Sequence, residues 1–331
     1  MESISPVYAL FVMQSLQSSE LQEALLKDTG LTRETLESGA NIPLKAFQKV
    51  LINGDRLCDD HVGRIIGVRG GIMTMGTVGA AVAAAPTIRQ GFQIVSAFSR
   101  LHASYSTCDV FSSQQGLKLF FGFSDEVSET ERFHAESALF MMQNYLEMVL
   151  GFKMADGLYR VRHQPPAYSE LYKEWFASPV TFGAESIAVV VPKKYVDRHS
   201  PFFNREIWGQ ALQLLSKQIE EVGEENNTSY TYQVKSLLRS SEAPLPGLDF
   251  VAQHLLLSER TLNRRLQQEG QTFRALKVSV ILERAREYLR ETPLSVDAIA
   301  IALGYQDVAN FRRSFRAVEG CSPSEYRRSC G

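Results

Sequence analysis

Ala300-Ile-Ala-Leu-Gly-Tyr-Gln-Asp-Val-Ala-Asn-Phe-Arg-Arg-Ser-Phe-Arg-Ala-Val-Glu-Gly-Cys-Ser-Pro-Ser-Glu-Tyr-Arg327 reads as a helix, a tight turn, an arginine-studded second helix and a third short helix. Gly304 is placed for the left-handed turn between paired helices, and Gly320 to end the second one. Asp307 can cap the arginine-rich helix, where its charge suits the positive end. Ser322-Pro-Ser-Glu325 has capping-box spacing, with proline at the first helical position where its missing N–H costs nothing. A looser copy lies upstream, Val251-Ala-Gln-His-Leu-Leu-Leu-Ser-Glu-Arg-Thr-Leu-Asn-Arg-Arg-Leu266. Ser258 and Ser295 can cap helices in turn, and Gly270 can end one. Two helix-turn-helix units in tandem require a partner with a repeat of its own, and double-stranded DNA supplies it.

The residue types on these helices point the same way. Over 308–318, Phe311, Phe315 and Val318 form an inward stripe, which leaves Val308, Ala309, Asn310, Arg312, Arg313 and Arg316 outward or sideways. Asn and Arg carry planar paired groups that match adenine and guanine edges in the major groove, and small Ala309 suits close approach to a thymine methyl. In the upstream unit Leu262 and Leu266 point inward, and Arg260, Asn263, Arg264 and Arg265 remain. Arginines on one amphipathic helix also form an ordinary solvated face; their recurrence at matching positions of two modules favours DNA. The helix expected over 273–291 is ~28 Å long at 1.5 Å per residue. Successive major-groove faces lie ~34 Å apart, so such a spacer suits two recognition helices in adjacent grooves.

A chain of 331 residues suits two domains. Residues 228–331 carry 15 Lys+Arg against 11 Asp+Glu, whereas residues 1–227 carry 20 against 26. A basic module joined to an acidic one suits a DNA-binding domain attached to one that does not touch DNA. The apolar stretch Gly76–Pro86 is short and broken by glycine, so no membrane segment is expected, and the N-terminus lacks the basic region of a signal peptide. Cysteines 58, 108, 321 and 330 show no CxxC spacing, and histidines 61, 102, 134, 163, 199 and 254 show neither HxxxH nor HExxH. A reduced cytoplasmic protein without metal or cofactor is the expectation. Val68–Gly76 is glycine-rich but lacks both phosphate-cradling patterns, and no catalytic constellation is visible, so the chain does not read as an enzyme.

The acidic, amide-rich segment Glu220–Ser229 marks the boundary. Before it, residues 204–221 place apolar side chains at 207, 208, 211, 214, 215 and 219. That stripe suits either a helix packed on its own domain or a seam between two protomers. The expected organisation is an effector-sensing and dimerising domain over 1–200, a coupling helix and linker over 201–227, and the DNA-binding domain over 228–331. Residues 1–200 mix helical patterns at 5–27, 43–58, 87–103 and 129–150 with strand patterns at 107–112, 117–123 and 180–191. The first two strands would turn near Gln115-Gly116, and Ser128-Glu-Thr-Glu131 would open the last helix. An α+β N-terminal domain followed by an all-α domain, its two helix-turn-helix modules joined by a long helix, is the expected fold. Aromatic and basic residues near these strands, Phe98, Arg100, Tyr105, Phe120, Arg160, Arg162 and His163, are candidates for an effector pocket. A cation in an apolar pocket there would suit a carboxylate.

The C-terminal residues resemble the AraC/XylS family of bacterial transcription regulators. Ile299-Ala300, Leu303-Gly304-Tyr305, Asp307, Phe311, Arg313, Phe315-Arg316, Gly320, Ser322-Pro323 and Tyr326-Arg327 carry the likeness in the second module. Val251-Ala252, Leu255, Ser258–Leu262, Arg264–Leu266, Glu269-Gly270 and Phe273-Arg274 carry it in the first. The resemblance implies base-facing positions at Arg260, Asn263 and Arg264, and at Val308, Ala309, Asn310, Arg312 and Arg313. Upstream, Gly76-Thr-Val-Gly79, Ala85–Gln90, His163–Tyr168, Phe176 and Val180–Gly183 look like the arabinose-binding-like domain of the ornithine-utilisation branch. That branch label does not name a ligand. The resemblance implies an activator that contacts RNA polymerase, a homodimer, and a small-molecule effector. The alternative is a ligand-independent regulator whose N-terminal domain serves interaction or oligomerisation.

Overall fold

The structure, a computed structural model, describes residues 2–58, 61–113, 115–222, 229–255 and 257–330, and the chain divides into two compact units, Met1–Thr228 and Ser229–Gly331. The first unit opens with β1 (Ser3–Ile4), α1 (Val7–Ser15), α2 (Ser19–Leu26), α3 (Arg33–Glu37), β2 (Ile42–Pro43) and α4 (Leu44–Leu57). Then come α5 (Val62–Gly70), α6 (Thr77–Ala83), α7 (Ile88–His102), the hairpin β3 (Ser106–Ser113) and β4 (Gly116–Phe123), and α8 (Glu131–Leu150). It closes with β5 (Leu158–Arg160), α9 (Tyr172–Trp175), β6 (Val180–Thr181), β7 (Ile187–Pro192), α10 (Lys193–Val196) and α11 (Arg205–Val222). The main sheet has the order β3-β4-β7-β5-β6, antiparallel except where β5 and β6 run together.

Strand periodicity decides what this sheet buries. Val110, Leu117, Leu119, Val189 and Val191 are fully buried and meet Phe92 and Val95 of α7 and Leu139, Tyr145 and Leu146 of α8. A second cluster joins α1, α2 and α4 through Val12, Leu25, Phe47 and Val50. Helices α5 and α8 meet at backbone distance: a Cβ on Gly63 would lie 2.5 Å from the Glu136 Cβ, and one on Gly67 would lie 2.5 Å from the Phe140 Cβ. Ser137 donates to the Gly63 carbonyl across this seam at 3.1 Å.

The second unit is helical throughout: α12 (Tyr230–Ser240), α13 (Leu248–His254), α14 (Glu259–Gln268), α15 (Phe273–Glu291), α16 (Val296–Ala302), α17 (Val308–Glu319) and α18 (Pro323–Cys330). Helix α15 is the spine of both halves. Its Leu276 and Val280 join the core of the first module, and its Leu282, Ala285 and Leu289 join that of the second. The Ser258, Ser295 and Asp307 caps accept from the backbone N–H groups of Thr261, Ala298 and Ala309. The Ser322–Glu325 box closes in both directions. No helix among the described residues is long and apolar enough to cross a membrane.

Several expectations need correction. The pattern over 5–27 is two helices, because Leu16 turns to extended backbone and Ser18 accepts from the Leu21 N–H to start α2. The Ser128–Glu131 box does not open α8; a 3-10 turn over Asp125–Thr130 precedes it, and its N-cap Thr130 makes no side-chain cap bond. The strand expected over 180–191 is two, split where Gly183 takes φ 66° and the N–H groups of Gly183 and Ala184 bond back to His163 and Val161. The stripe on α11 divides. Trp208, Ala211, Leu212 and Leu215 face the first unit's core, while Ile207 and Leu214, seven residues apart, are exposed; the Ile219 side chain lies outside the described residues. Val318 is 60% exposed rather than inward. Most of the boundary segment Glu220–Ser229 lies outside the described residues.

Candidate nucleic-acid interface and effector cavity

Both modules close their turn with the same backbone bond: Leu257 N–H donates to the Ala252 carbonyl at 2.9 Å, and Tyr305 N–H to the Ala300 carbonyl at 3.0 Å. In the second module Gly304 takes φ 86°, the left-handed conformation that favours glycine. Each second helix is then held by two fully buried side chains four residues apart, Leu262 and Leu266 on α14, and Phe311 and Phe315 on α17. What these anchors leave outward defines the candidate interface. Arg260, Asn263 and Arg264 are exposed on α14, and Ala309, Asn310, Arg312, Arg313 and Arg316 on α17. Asn310 and Arg313, three apart on one helix face, already hydrogen-bond to each other. Arg312 reaches back to Asp297 of α16 at 2.7 Å, an exposed pair of little energetic weight.

Two predicted readers sit differently. Arg265 is half-buried, its guanidinium 5.8 Å from the centroid of the Tyr230 ring, because position 265 follows Leu262 by three residues and so borders the anchored face. Val308 is half-buried and packs against the core of the second module.

Other basic residues of this unit brace the scaffold. Arg284, 7% exposed on α15, donates to the carbonyls of Leu238, Arg239 and Ser241 and so satisfies the open C-terminal turn of α12. Arg239 pairs with Glu283 through two bonds of 2.8 and 3.0 Å, and Arg286 pairs with Glu319 at 2.6 Å. At the other end of α12, the Glu269 carboxylate accepts from the Tyr230 and Thr231 N–H groups, both at 2.8 Å. Nothing in the periodicity separates these cations from the outward ones, since their partners lie tens of residues away.

In the first unit the seven effector candidates are scattered. Phe98 belongs to the core beneath the sheet, and Arg100 is half-buried near the end of α7. Phe120 lies on the opposite face of β4 from Leu117 and Leu119 and packs edge-on against Phe111. Arg160 alternates with the core residue Tyr159 on β5. Arg162 forms a two-bond ion pair with Glu131, and His163 packs against Phe182 and bonds the Gln164 carbonyl. Of the seven, Tyr105 lines a cavity. That cavity holds about 100 Å³ and lies among α1, α4, α7, β3, β4 and α8. Its wall is mainly aromatic, aliphatic and methionine-rich, with a few Ser, Thr and His side chains and, among the described residues, no Lys, Arg, Asp or Glu. Tyr8 meets His102 Nε2 at 2.7 Å and donates to Thr74 at 3.2 Å, and Tyr105 meets His134 Nδ1 at 3.4 Å. Burial lowers both His102 and His134 to about 4 and raises Tyr8 to about 12, so the lining is uncharged at neutral pH.

Residues 22–200 match the family model of the "Arabinose-binding domain of AraC transcription regulator, N-term", and residues 251–329 match that of the "Helix-turn-helix domain". The first match alone spans more than half of the chain. The chain belongs to the AraC family of transcription regulators. It is similar to the ornithine utilization regulator of Pseudomonas aeruginosa, 24% identical over 310 residues that cover 92% of this chain and 90% of that one. It is 42% identical to the transcriptional activator NphR of Rhodococcus sp over 72 residues, 22% of each chain. A crystal structure of the transcriptional regulator CdpR from Pseudomonas aeruginosa aligns with a TM-score of 0.46 at 20% identity, covering 94% of this chain and 99% of that one. These families and relatives are transcription regulators, not enzymes.

Within this AraC-family chain, the N-terminal motifs prove to be packing devices. Thr87 of Ala85–Gln90 caps α7, and Arg89 fixes Asp197 through bonds of 2.6 and 2.8 Å. Tyr168 of His163–Tyr168 and Tyr172 both donate to the buried Glu136 carboxylate at 2.6 Å. Arg132 donates to Tyr168 and to Asp55, each at 2.9 Å. Sequence reasoning missed this network and the cavity. The only available signal was Glu136 inside the apolar run of α8.

Proposed function

We propose that this chain is an effector-responsive transcription activator that reads two segments of double-stranded DNA with α14 and α17. Two modules with the same turn, built on one rigid spine, carry this reading. A helix of 19 residues, ~28 Å long, suits adjacent major-groove faces ~34 Å apart. Arg260, Asn263 and Arg264 face one segment; Ala309, Asn310, Arg312, Arg313 and Arg316 face the other. Arg265 and Val308 hold the reading helices rather than read. Residues 1–200 sense a small molecule and dimerise, and α11 couples that domain to the DNA-binding one. The name of the NphR activator supports the direction of control, which requires contact with RNA polymerase. Footprinting with a selected operator tests the reading. Two protected segments about 10 base pairs apart on one DNA face are expected. A single protected segment, insensitive to changes on one of the two helices, overturns it.

A further inference from the structure

Two residues that line the cavity of the first unit each carry a buried polar atom left unanswered by the protein. Ser99 Oγ and His134 Nε2 are buried without a hydrogen-bond partner, on residues 5% and 8% exposed, and both residues line the cavity. Buried polar groups in folded proteins are nearly always satisfied, and an exception calls for an unseen partner. Around them the wall is mainly apolar, with Met75, Met141 and Met142 able to yield to an incoming shape.

We propose that this cavity is the effector site, and that its ligand is an uncharged, mainly apolar molecule the size of a substituted single ring, with one or two hydroxyl or carbonyl groups. This assignment rests on the reading of residues 1–200 as a sensor. The size follows from the volume together with the pliant wall: a dry cavity of about 150 Å³ accommodates benzene, so at about 100 Å³ a single ring enters only as Met75, Met141 and Met142 yield. The hydroxyl or carbonyl answers Ser99 and His134. A carboxylate is disfavoured because no Lys or Arg among the described residues lines the space, and burying an unpaired anion is strongly unfavourable. The carboxylate effector expected from the sequence would have needed Arg100, Arg160 or Arg162, none of which lines the cavity.

The test is calorimetric titration of the full chain with p-cresol, benzyl alcohol and acetophenone, against benzoate and phenylacetate. Saturable binding of the neutral probes, at least tenfold tighter than the anions, is expected. Ser99→Ala should weaken the hydroxyl and carbonyl probes about tenfold while leaving toluene unaffected. Ala138→Phe, which fills the space from α8, should abolish binding while the melting transition stays cooperative. Should Ala138→Phe fail to fold, Ser99→Ala alone decides. No binding of any neutral probe at millimolar concentration overturns the proposal, as does equal binding of the anions. Failure of the sensor reading looks different: neutral probes bind as expected, yet operator affinity is unchanged by them.

Discussion

Arg264 and Arg265 are neighbours in the chain with opposite assignments. Arg264 is exposed on the outer face of α14, whereas Arg265 lies half-buried over the Tyr230 ring. Arg264→Ala and Arg313→Ala should each cost ~1–3 kcal/mol of discrimination at a distinct base position, read by titrating operator variants at fixed salt. Unchanged sequence preference in either variant would show that its helix does not read DNA. Arg265→Ala should instead lower the unfolding midpoint and weaken all sequences together. Arg284 is heavily committed, with three carbonyls on one guanidinium nitrogen. Replacing it with Met leaves those buried carbonyls unanswered and should destabilise the DNA-binding unit by about 2–3 kcal/mol in denaturant unfolding. A loss below a few tenths would show that water replaces the guanidinium there.

At the scale of elements, the α5–α8 seam depends on what is missing. Gly63 and Gly67 lie one turn apart and let α8 approach until no room is left for a Cβ. Gly67→Ala would put a methyl carbon 2.5 Å from the Phe140 Cβ and 2.7 Å from the Ser137 carbonyl oxygen, so the helices must separate. The expected loss is about 1–3 kcal/mol, seen as a lower denaturant midpoint with an unchanged slope. Helix propensity alone predicts the reverse, since alanine is the better helix former; a stabilised variant would mean the helices are not in contact at this point. Helices α14 and α17 show the converse economy. Two fully buried anchors per helix fix each orientation, Arg265 and Val308 border the anchored faces, and Arg260, Asn263, Arg264, Ala309, Asn310, Arg312, Arg313 and Arg316 are left to the surface.

At the scale of the whole molecule, each unit has its own core, so residues 229–331 should fold alone. The isolated segment should keep its helical circular dichroism, a cooperative melt and salt-dependent DNA binding. An unfolded fragment would show that the first unit is needed to stabilise the second. Acid should weaken both units. Burial holds His102 and His134 in the first unit, and His254 in the second, neutral at about 4 against an ordinary 6.5. The unfolded chain takes up these protons first, so stability is full above pH 6.5 and falls as the pH drops toward 4. Each histidine contributes on the order of 1.4 kcal/mol per pH unit across that window. Denaturant titrations between pH 7 and 4.5 read this, and His254→Leu should flatten the loss only in the C-terminal unit.

The two helix-turn-helix modules were legible in the chain because the caps, turns and facing of their helices are set locally. Ser258, Asp307 and Ser322 cap the helices they begin, Gly304 takes the turn, and the Leu262/Leu266 and Phe311/Phe315 pairs face inward at helical spacing. Capping reaches two or three residues and helical facing four, so a single sequence contains both. Sequence could not tell which cations brace and which are left outward, because Arg284 finds carbonyls more than forty residues away. The N-terminal unit was least legible for the same reason. Its cavity draws Tyr8, Ser99, Tyr105 and His134 from separate elements, and its helices approach through glycines whose value is the absence of a side chain. Sequence by itself determined the elements that close on themselves. Tertiary structure alone decided what meets across the sheet and the α5–α8 seam, since burial and enclosure depend on residues distant in the chain.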